Sequence, residues 1–115
     1  MKVKLDVGIV DFDGRAVMDG DGVNMTIGKA LVQSTLNAGI DQGTTGEDKF
    51  KRYEFARELK GKKEVDLTIE EMAELKKRVG QMYTSIVVGR VFDHLENAAD
   101  SGKTDKGKAD EGKNG

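Results

Sequence analysis

Apolar runs and polar breaks alternate at short period through the first part of the chain. Val3 to Phe12 is rich in β-branched and apolar residues, Asp13-Gly14 supplies the positive φ angles of a tight turn, and Arg15 to Met18 resumes the apolar run. This predicts a β-hairpin. Asp19-Gly20-Asp21-Gly22 then favours a turn over regular structure, and Thr26 follows as the N-cap of a helix. In that helix Ile27, Ala30, Leu31, Ser34 and Ala38 recur near helical spacing, Val32 and Leu36 widen the apolar stripe, and Gly39 suits the left-handed position after its end.

Past the polar loop Asp41 to Gly46, Phe50, Tyr53, Ala56 and Leu59 are assigned to one face of a second helix. Gly61, Lys62 and Lys63 end it, and Glu64 to Leu67 reads as a short extended link. Thr68-Ile69-Glu70-Glu71 is a capping box, in which the Thr hydroxyl and the Glu71 carboxylate satisfy each other's unpaired backbone N–H groups. Met72, Leu75, Val79 and Met82 then form an apolar stripe, with Lys76, Lys77 and Arg78 on the solvated side. Tyr83-Thr84-Ser85 interrupts the pattern. A last helix carries Ile86, Val87, Val88, Val91, Phe92 and Leu95, apolar on nearly every side, and forms an αα-hairpin with the third unless the two run on as one kinked helix.

The fold expected is therefore α+β and mostly helical, with an N-terminal β-hairpin and three to four helices ending in an αα-hairpin. It forms one domain over residues 1–96. Residues 97–115 contain only Ala, Asp, Lys, Gly, Ser, Thr, Glu and Asn, too polar to offset the entropy of ordering, and are expected to be a disordered tail. The chain is read as carrying no internal repeat.

Composition narrows the function more than it identifies it. Of 115 residues 37% are hydrophobic and 35% charged, with no Pro, Cys or Trp, so neither disulfides nor a cysteine metal site can reinforce a small core. A partner subunit can, which favours a homo-oligomer or a complex. The charges nearly cancel, 19 basic against 21 acidic, and the pI of about 5.5 disfavours nucleic acid. The N-terminal run lacks the apolar core of a signal peptide, and no stretch is long and apolar enough to span a bilayer, so a cytosolic protein is expected.

Candidate chemistry is sparse. Asp11, Asp13, Asp19 and Asp21 offer hard oxygen ligands, but Val23 and Ala30 stand where an EF-hand loop begun at Asp19 needs an oxygen donor and a bidentate Glu. Turn chemistry is the preferred reading. His94 is the only histidine and has no partner for a metal pair or a nucleophilic triad, so it is assigned to the core edge or solvent. No glycine cluster has the spacing of a phosphate-cradling loop. Acidic and basic residues interleave from Glu47 to Asp66, which suits solubility and the orientation of a protein partner.

Two resemblances bear on function. Gly8-Ile9-Val10-Asp11-Phe12-Asp13-Gly14 resembles the first motif of the haloacid-dehalogenase-type phosphatases, which implies Asp11 as nucleophile and Asp13 as proton carrier beside Mg²⁺. Arg15 replaces that family's Thr, and 115 residues leave no room for its doubly wound sheet, so the Asp-Gly turn is preferred. Residues 47–96 resemble small phage-encoded proteins of the head and tail gene region. That resemblance rests on Lys49 to Arg57, Val65 to Glu71, and Lys77 to Gly89 leading to Leu95-Glu96, and it implies an assembly or accessory role without transferring functional residues.

The leading expectation is a non-enzymatic phage accessory or morphogenesis protein, needing no cofactor, that binds a protein partner or its own copies in the host cytoplasm or the virion. Phe50, Tyr53, Met72, Met82 and Tyr83 are the candidate contact residues, because aromatics and methionines are enriched at interfaces. The alternatives are a small regulator or host-defence inhibitor using the αα-hairpin as a helix-turn-helix, and the Asp11/Asp13 phosphatase.

Overall fold

The computed structural model of the chain describes residues 1–103, so the remainder of the expected tail, residues 104–115, lies outside the described residues. The elements in order are β1 (Lys2–Lys4), α1 (Ile27–Asn37), α2 (Gly46–Leu59), β2 (Glu64–Asp66), α3 (Ile69–Met82) and α4 (Ser85–Lys103). This is the α+β, mostly helical arrangement expected. Three threonines start three helices: Thr26 Oγ1 accepts the Lys29 N–H at 3.1 Å, Thr45 Oγ1 that of Asp48 at 3.0 Å, and Thr68 Oγ1 that of Glu71 at 3.0 Å. The Thr68 N–H donates back to Glu71 Oε1 at 2.9 Å, completing the capping box.

The hairpin at Asp13-Gly14 is present, with Val10 bridged antiparallel to Ala16, and Met18 bridged to Asn24 closes a second one. β1 does not belong to either. It pairs antiparallel with β2, Val3 opposite Val65, so the expected link Glu64 to Leu67 is a strand in its first part. Lys2 faces Asp66 and Lys4 faces Glu64, an opposite-charge pair on each side of the central valines.

The two hairpins correct the reading that the chain has no repeat. Asp11-Phe12-Asp13-Gly14-Arg15 and Asp19-Gly20-Asp21-Gly22-Val23 are the same turn eight residues apart. In each, the first Asp Oδ1 accepts two backbone N–H groups, from Asp13 and Arg15 at 2.8 and 3.0 Å and from Asp21 and Val23 at the same distances. Each turn also places its glycine at positive φ, 83° for Gly14 and 77° for Gly22. Ile9, Val17 and Met25, again eight apart, close a ring of backbone bonds: Val17 N–H to Ile9 O, Met25 N–H to Val17 O, and Ile9 N–H to Met25 O, at 2.7–2.9 Å. The repeat escapes a search for similar residues because only the Asp-x-Asp-Gly frame and the apolar position recur.

The core gathers Val3, Leu5, Ile9, Met25, Ile27, Leu31, Leu59, Leu67, Leu75, Val79, Val87, Val91 and Leu95. Tyr83 is extended, φ −111° and ψ 165°, and breaks α3 from α4. Lys76 reaches both Glu96, at 3.0 Å, and the Phe92 ring, at 5.6 Å, so α4 doubles back along α3 as an αα-hairpin. α4 continues to Lys103, and Ala98 and Ala99 pack against the core, which carries the folded part past the boundary expected at residue 96. Alanine is the best helix former and packs closely, so a polar, alanine-bearing end can extend a helix that tertiary contacts have already nucleated.

Two packing details are testable. Gly28 donates its N–H to Leu5 O at 2.8 Å, and a Cβ there would stand 3.0 Å from both Leu5 O and Leu5 Cβ, whereas one at Gly80 meets nothing within 4 Å. The Leu5 backbone is itself held by Lys63, so it cannot yield. Gly28→Ala is expected to lower stability by about 1–2 kcal/mol, overpacking outweighing the better helix propensity, while Gly80→Ala raises it by up to about 1 kcal/mol; thermal melts of the two should move in opposite directions. Thr35 Oγ1 is fully buried with no hydrogen-bond partner among the described residues. Thr35→Val is therefore expected to be neutral or stabilising by about 1 kcal/mol in urea denaturation, and a clear loss would show that the hydroxyl is satisfied after all.

Candidate functional site

The candidate contact residues divide into three groups. Met72 is only 4% exposed and packs in the core with Leu75 and Val79, so it is not a contact residue; spacings of three and seven place all three on the inward face of α3. Phe50 and Tyr53 stand on the outside of α2. Met82 and Tyr83 lie together at the end of α3, in a different place.

α2 explains why its aromatics point outward. Steps of three residues turn an α-helix through roughly 300°, so Phe50, Tyr53, Ala56 and Leu59 drift progressively around the axis and Phe50 ends about half a turn from Leu59. Only Ala56 and Leu59 are buried, with Phe55 packed partly against the core. Phe50 and Tyr53 are 57% and 49% exposed, stacked with ring centroids 6.1 Å apart, and the Arg57 guanidinium lies 5.2 Å over the Tyr53 ring. The expected single face is thus two faces. Arg52, on the inward side, donates to Ala38 O at 2.6 Å and Thr35 O at 3.3 Å, binding α2 to the open end of α1.

The same geometry separates α1 into two apolar faces. Ile27, Ala30, Leu31 and Ser34 are buried, whereas Val32 and Leu36 lie on the opposite side, at roughly 140° and 180° from Ile27 at 100° per residue. Val32, half-buried and packed against the core, widens the stripe as expected, whereas Leu36 is exposed. Both line an open groove of about 890 Å³ together with Lys60, Gly61, Lys62 and Lys63, residues of the second hairpin, and Met82 and Tyr83. Val23, Leu36 and Met82 are all exposed in it. Sequence reading placed Met82 and Tyr83 among the candidates but missed Val23, Val32 and Leu36; plotting α1 around its axis is the signal that finds the latter two.

Charge is arranged across this groove. Lys29 Nζ approaches Asp19 Oδ2 at 3.5 Å and Asn24 O at 3.4 Å, tying α1 to the hairpin wall. Asp19 is held below its ordinary carboxylate value of 3.8, first by the Val23 and Asp21 N–H groups and then by Lys29. Burial, then the nearby Asp19 charge, pushes the Tyr83 phenol above its usual value of 10.0. A second, polar hollow of about 630 Å³ mixes Asp41, Asp48, Arg52, Glu71 and Glu74 with Arg78.

The remaining sequence candidates are absorbed by structure. Asp11 Oδ1 is engaged by its own turn, and Arg90 of α4 donates to Val10 O at 2.9 Å and Asp11 O at 3.1 Å while standing 5.8 Å from the Phe12 ring. Phe12, at 91% exposure, caps that hairpin and is a further exposed aromatic that sequence reading did not single out for binding. His94 Nε2 lies 2.7 Å from Lys4 O; a carbonyl only accepts, so the ring N–H donates and locks α4 to β1. No group of three or more potential metal ligands is found among the described residues, and none of their helices is long and apolar enough to cross a membrane. Comparison with protein-family models, curated proteins and solved structures finds no match to this chain.

The Asp19 turn carries a pH signature. A carboxyl whose folded value is lowered contributes stability above its unfolded value, near 3.8, and loses it as the pH falls through the folded value. Asp19→Asn keeps the Oδ1 acceptor but cannot titrate. Wild type is expected to melt higher than this variant at neutral pH, with the gap closing as the pH drops below about 4; Asp19→Ala, which lacks the acceptor, should melt lower than both at neutral pH.

Proposed function

We propose that this chain is a non-enzymatic accessory or morphogenesis protein that acts by binding protein, in the phage-assembly setting suggested by the resemblance of residues 47–96. The observation that supports this reading most directly is the groove along α1. Its lining includes Val23, Leu36 and Met82, apolar side chains left in contact with water although the fold has a core that buries comparable residues completely. A contiguous apolar concavity edged by charge is what a protein partner desolvates, the apolar part giving affinity and the charged edge orientation.

The stacked Phe50–Tyr53 pair adds a second surface of the same character. Two aromatics held against each other and against Arg57 have already lost rotamer freedom, so less entropy is lost when a partner covers them. Such pre-ordered aromatic and arginine side chains are the types enriched among residues that carry binding energy.

A photo-activatable cross-linking residue at position 36 or 82, compared with one at exposed Ile69, tests the reading in cells that make the protein. Discrete protein adducts are expected from the two groove positions, with little from position 69. Equal labelling at all three, or no adduct from any, would sink it.

A further inference from the structure

Chemical lability is concentrated in the two repeated turns. The sequence has three Asp-Gly bonds, Asp13-Gly14, Asp19-Gly20 and Asp21-Gly22, and all three fall within the hairpins closed by the Val10–Ala16 and Met18–Asn24 bridges. Asp-Gly is the aspartyl pair most open to isomerisation, because a glycine has no side chain to keep its own nitrogen away from the preceding carboxyl group. The Gly nitrogen attacks the Asp Cγ, one water leaves, and a five-membered succinimide forms. Water then adds at the main-chain carbonyl of the ring and breaks the original peptide bond, so that the chain runs through the side-chain carbon as isoaspartate. The two waters cancel, and the rearrangement needs no oxidant, cofactor or enzyme.

In the folded chain each of these bonds has one of its two reacting groups already engaged. Gly14 N–H donates to Asp11 O and Gly22 N–H to Asp19 O, both at 3.1 Å, so at Asp13 and Asp21 the attacking nitrogen is occupied. The Asp13 and Asp21 carboxylates themselves have no hydrogen bond or ion pair among the described residues. At Asp19-Gly20 the roles are reversed. Gly20 N–H has no partner among the described residues, whereas the Asp19 carboxylate accepts the Asp21 and Val23 N–H groups and lies 3.5 Å from Lys29 Nζ. Those contacts also favour its ionised form, a poor target for an attacking nitrogen. One backbone bond thus guards Asp13 and Asp21, and three contacts guard Asp19; the single bond is the first that a local fluctuation opens. The first aspartate of each turn holds that bond in place, since its Oδ1 takes the N–H groups on either side of the glycine, Asp13 and Arg15 around Gly14 and Asp21 and Val23 around Gly22.

We infer that Asp13 and Asp21 are sites of isoaspartate formation, each gated by the turn that Asp11 or Asp19 holds closed, and that Asp19 is spared. The product carries an extra backbone methylene and a free α-carboxylate, the group that S-adenosylmethionine-dependent isoaspartate methyltransferases esterify. Modification at Asp21 alters a residue that lines the groove, inside the hairpin that the Met18–Asn24 bridge closes. The inference stands on the turns alone and does not depend on what the groove binds.

The test is to age the full chain at physiological temperature and neutral pH, folded or in guanidinium chloride, and to follow isoaspartate at each position. Peptide mapping locates it, with Asn114-Gly115, the one Asn-Gly pair in the sequence, scored separately, and methyl transfer from S-adenosylmethionine by an isoaspartate methyltransferase measures the total. In denaturant the three Asp-Gly bonds are expected to react at similar rates. In the folded protein Asp13 and Asp21 should slow by about fivefold to tenfold, the factor that one hydrogen bond supplies, and Asp19 by more. With circular dichroism showing each variant folded, Asp11→Ala should speed reaction at Asp13 severalfold and leave Asp21 unchanged, and Asp19→Ala should do the reverse. Asp11→Asn keeps the Oδ1 acceptor and should leave Asp13 at the wild-type rate. Asp19 reacting ahead of Asp13 and Asp21 in the folded protein would overturn the inference. So would folded rates at those two positions equal to the denatured ones, or a folded Asp11→Ala variant that speeds both turns alike or neither.

Discussion

The extended segment from Met1 to Asp11 is the backbone template on which the other elements assemble. Its atoms bond in several directions: Leu5 N–H donates to Lys63 O, Leu5 O and Val7 O accept the first N–H groups of α1 from Gly28 and Ile27, and Ile9 bonds both Met25 and Val17. α4 adds two side-chain clamps, His94 on Lys4 O and Arg90 on Val10 O and Asp11 O. The first N–H groups of a helix have no partner within it, and here a strand carbonyl row supplies two of them. One segment therefore fixes where α1 begins, where the 60–63 loop lies and how α4 is seated. Gly28 is the local requirement of that arrangement, since a side chain at this position would separate α1 from Leu5.

The groove follows from the same constraint. Leu5 holds Lys63, and the ring of Ile9, Val17 and Met25 holds the second hairpin, so two of the segments that line the groove are positioned by backbone bonds. Lys29 and the paired N–H groups on Asp19 tie the second hairpin to α1 and favour the ionised Asp19 carboxylate. The apolar residues exposed in the groove are the feature on which the binding proposal rests.

Three kinds of feature were legible along the chain, each for a local reason. Thr26 and the Thr68–Glu71 box marked helix starts because caps act between neighbours in sequence, Gly14 marked a turn because its φ requires it, and Leu75, Val79, Val87, Val91 and Leu95 marked the core through helical periodicity. The candidate site was only partly legible. Phe50, Tyr53 and Met82 are exposed and Tyr83 is half-buried, whereas Met72, of the same residue class, is enclosed. Composition signals that an aromatic or methionine is suited to an interface, but the neighbouring elements decide whether it is available for one.

The sequence by itself thus determined the element types, most of their boundaries and the identity of the core, because these depend on propensity, capping and period within a few residues. Tertiary structure alone decided which strand pairs with β1, which face of α1 and α2 meets the core, and which residues separated along the chain line one groove together. Val3 pairs with Val65 and Leu5 bonds Lys63, contacts that span tens of residues and bring Lys60 to Lys63 into the groove that Asp19 and Asp21 also line. Long-range pairing depends on closing loops and burying surface collectively, and no local window contains that information.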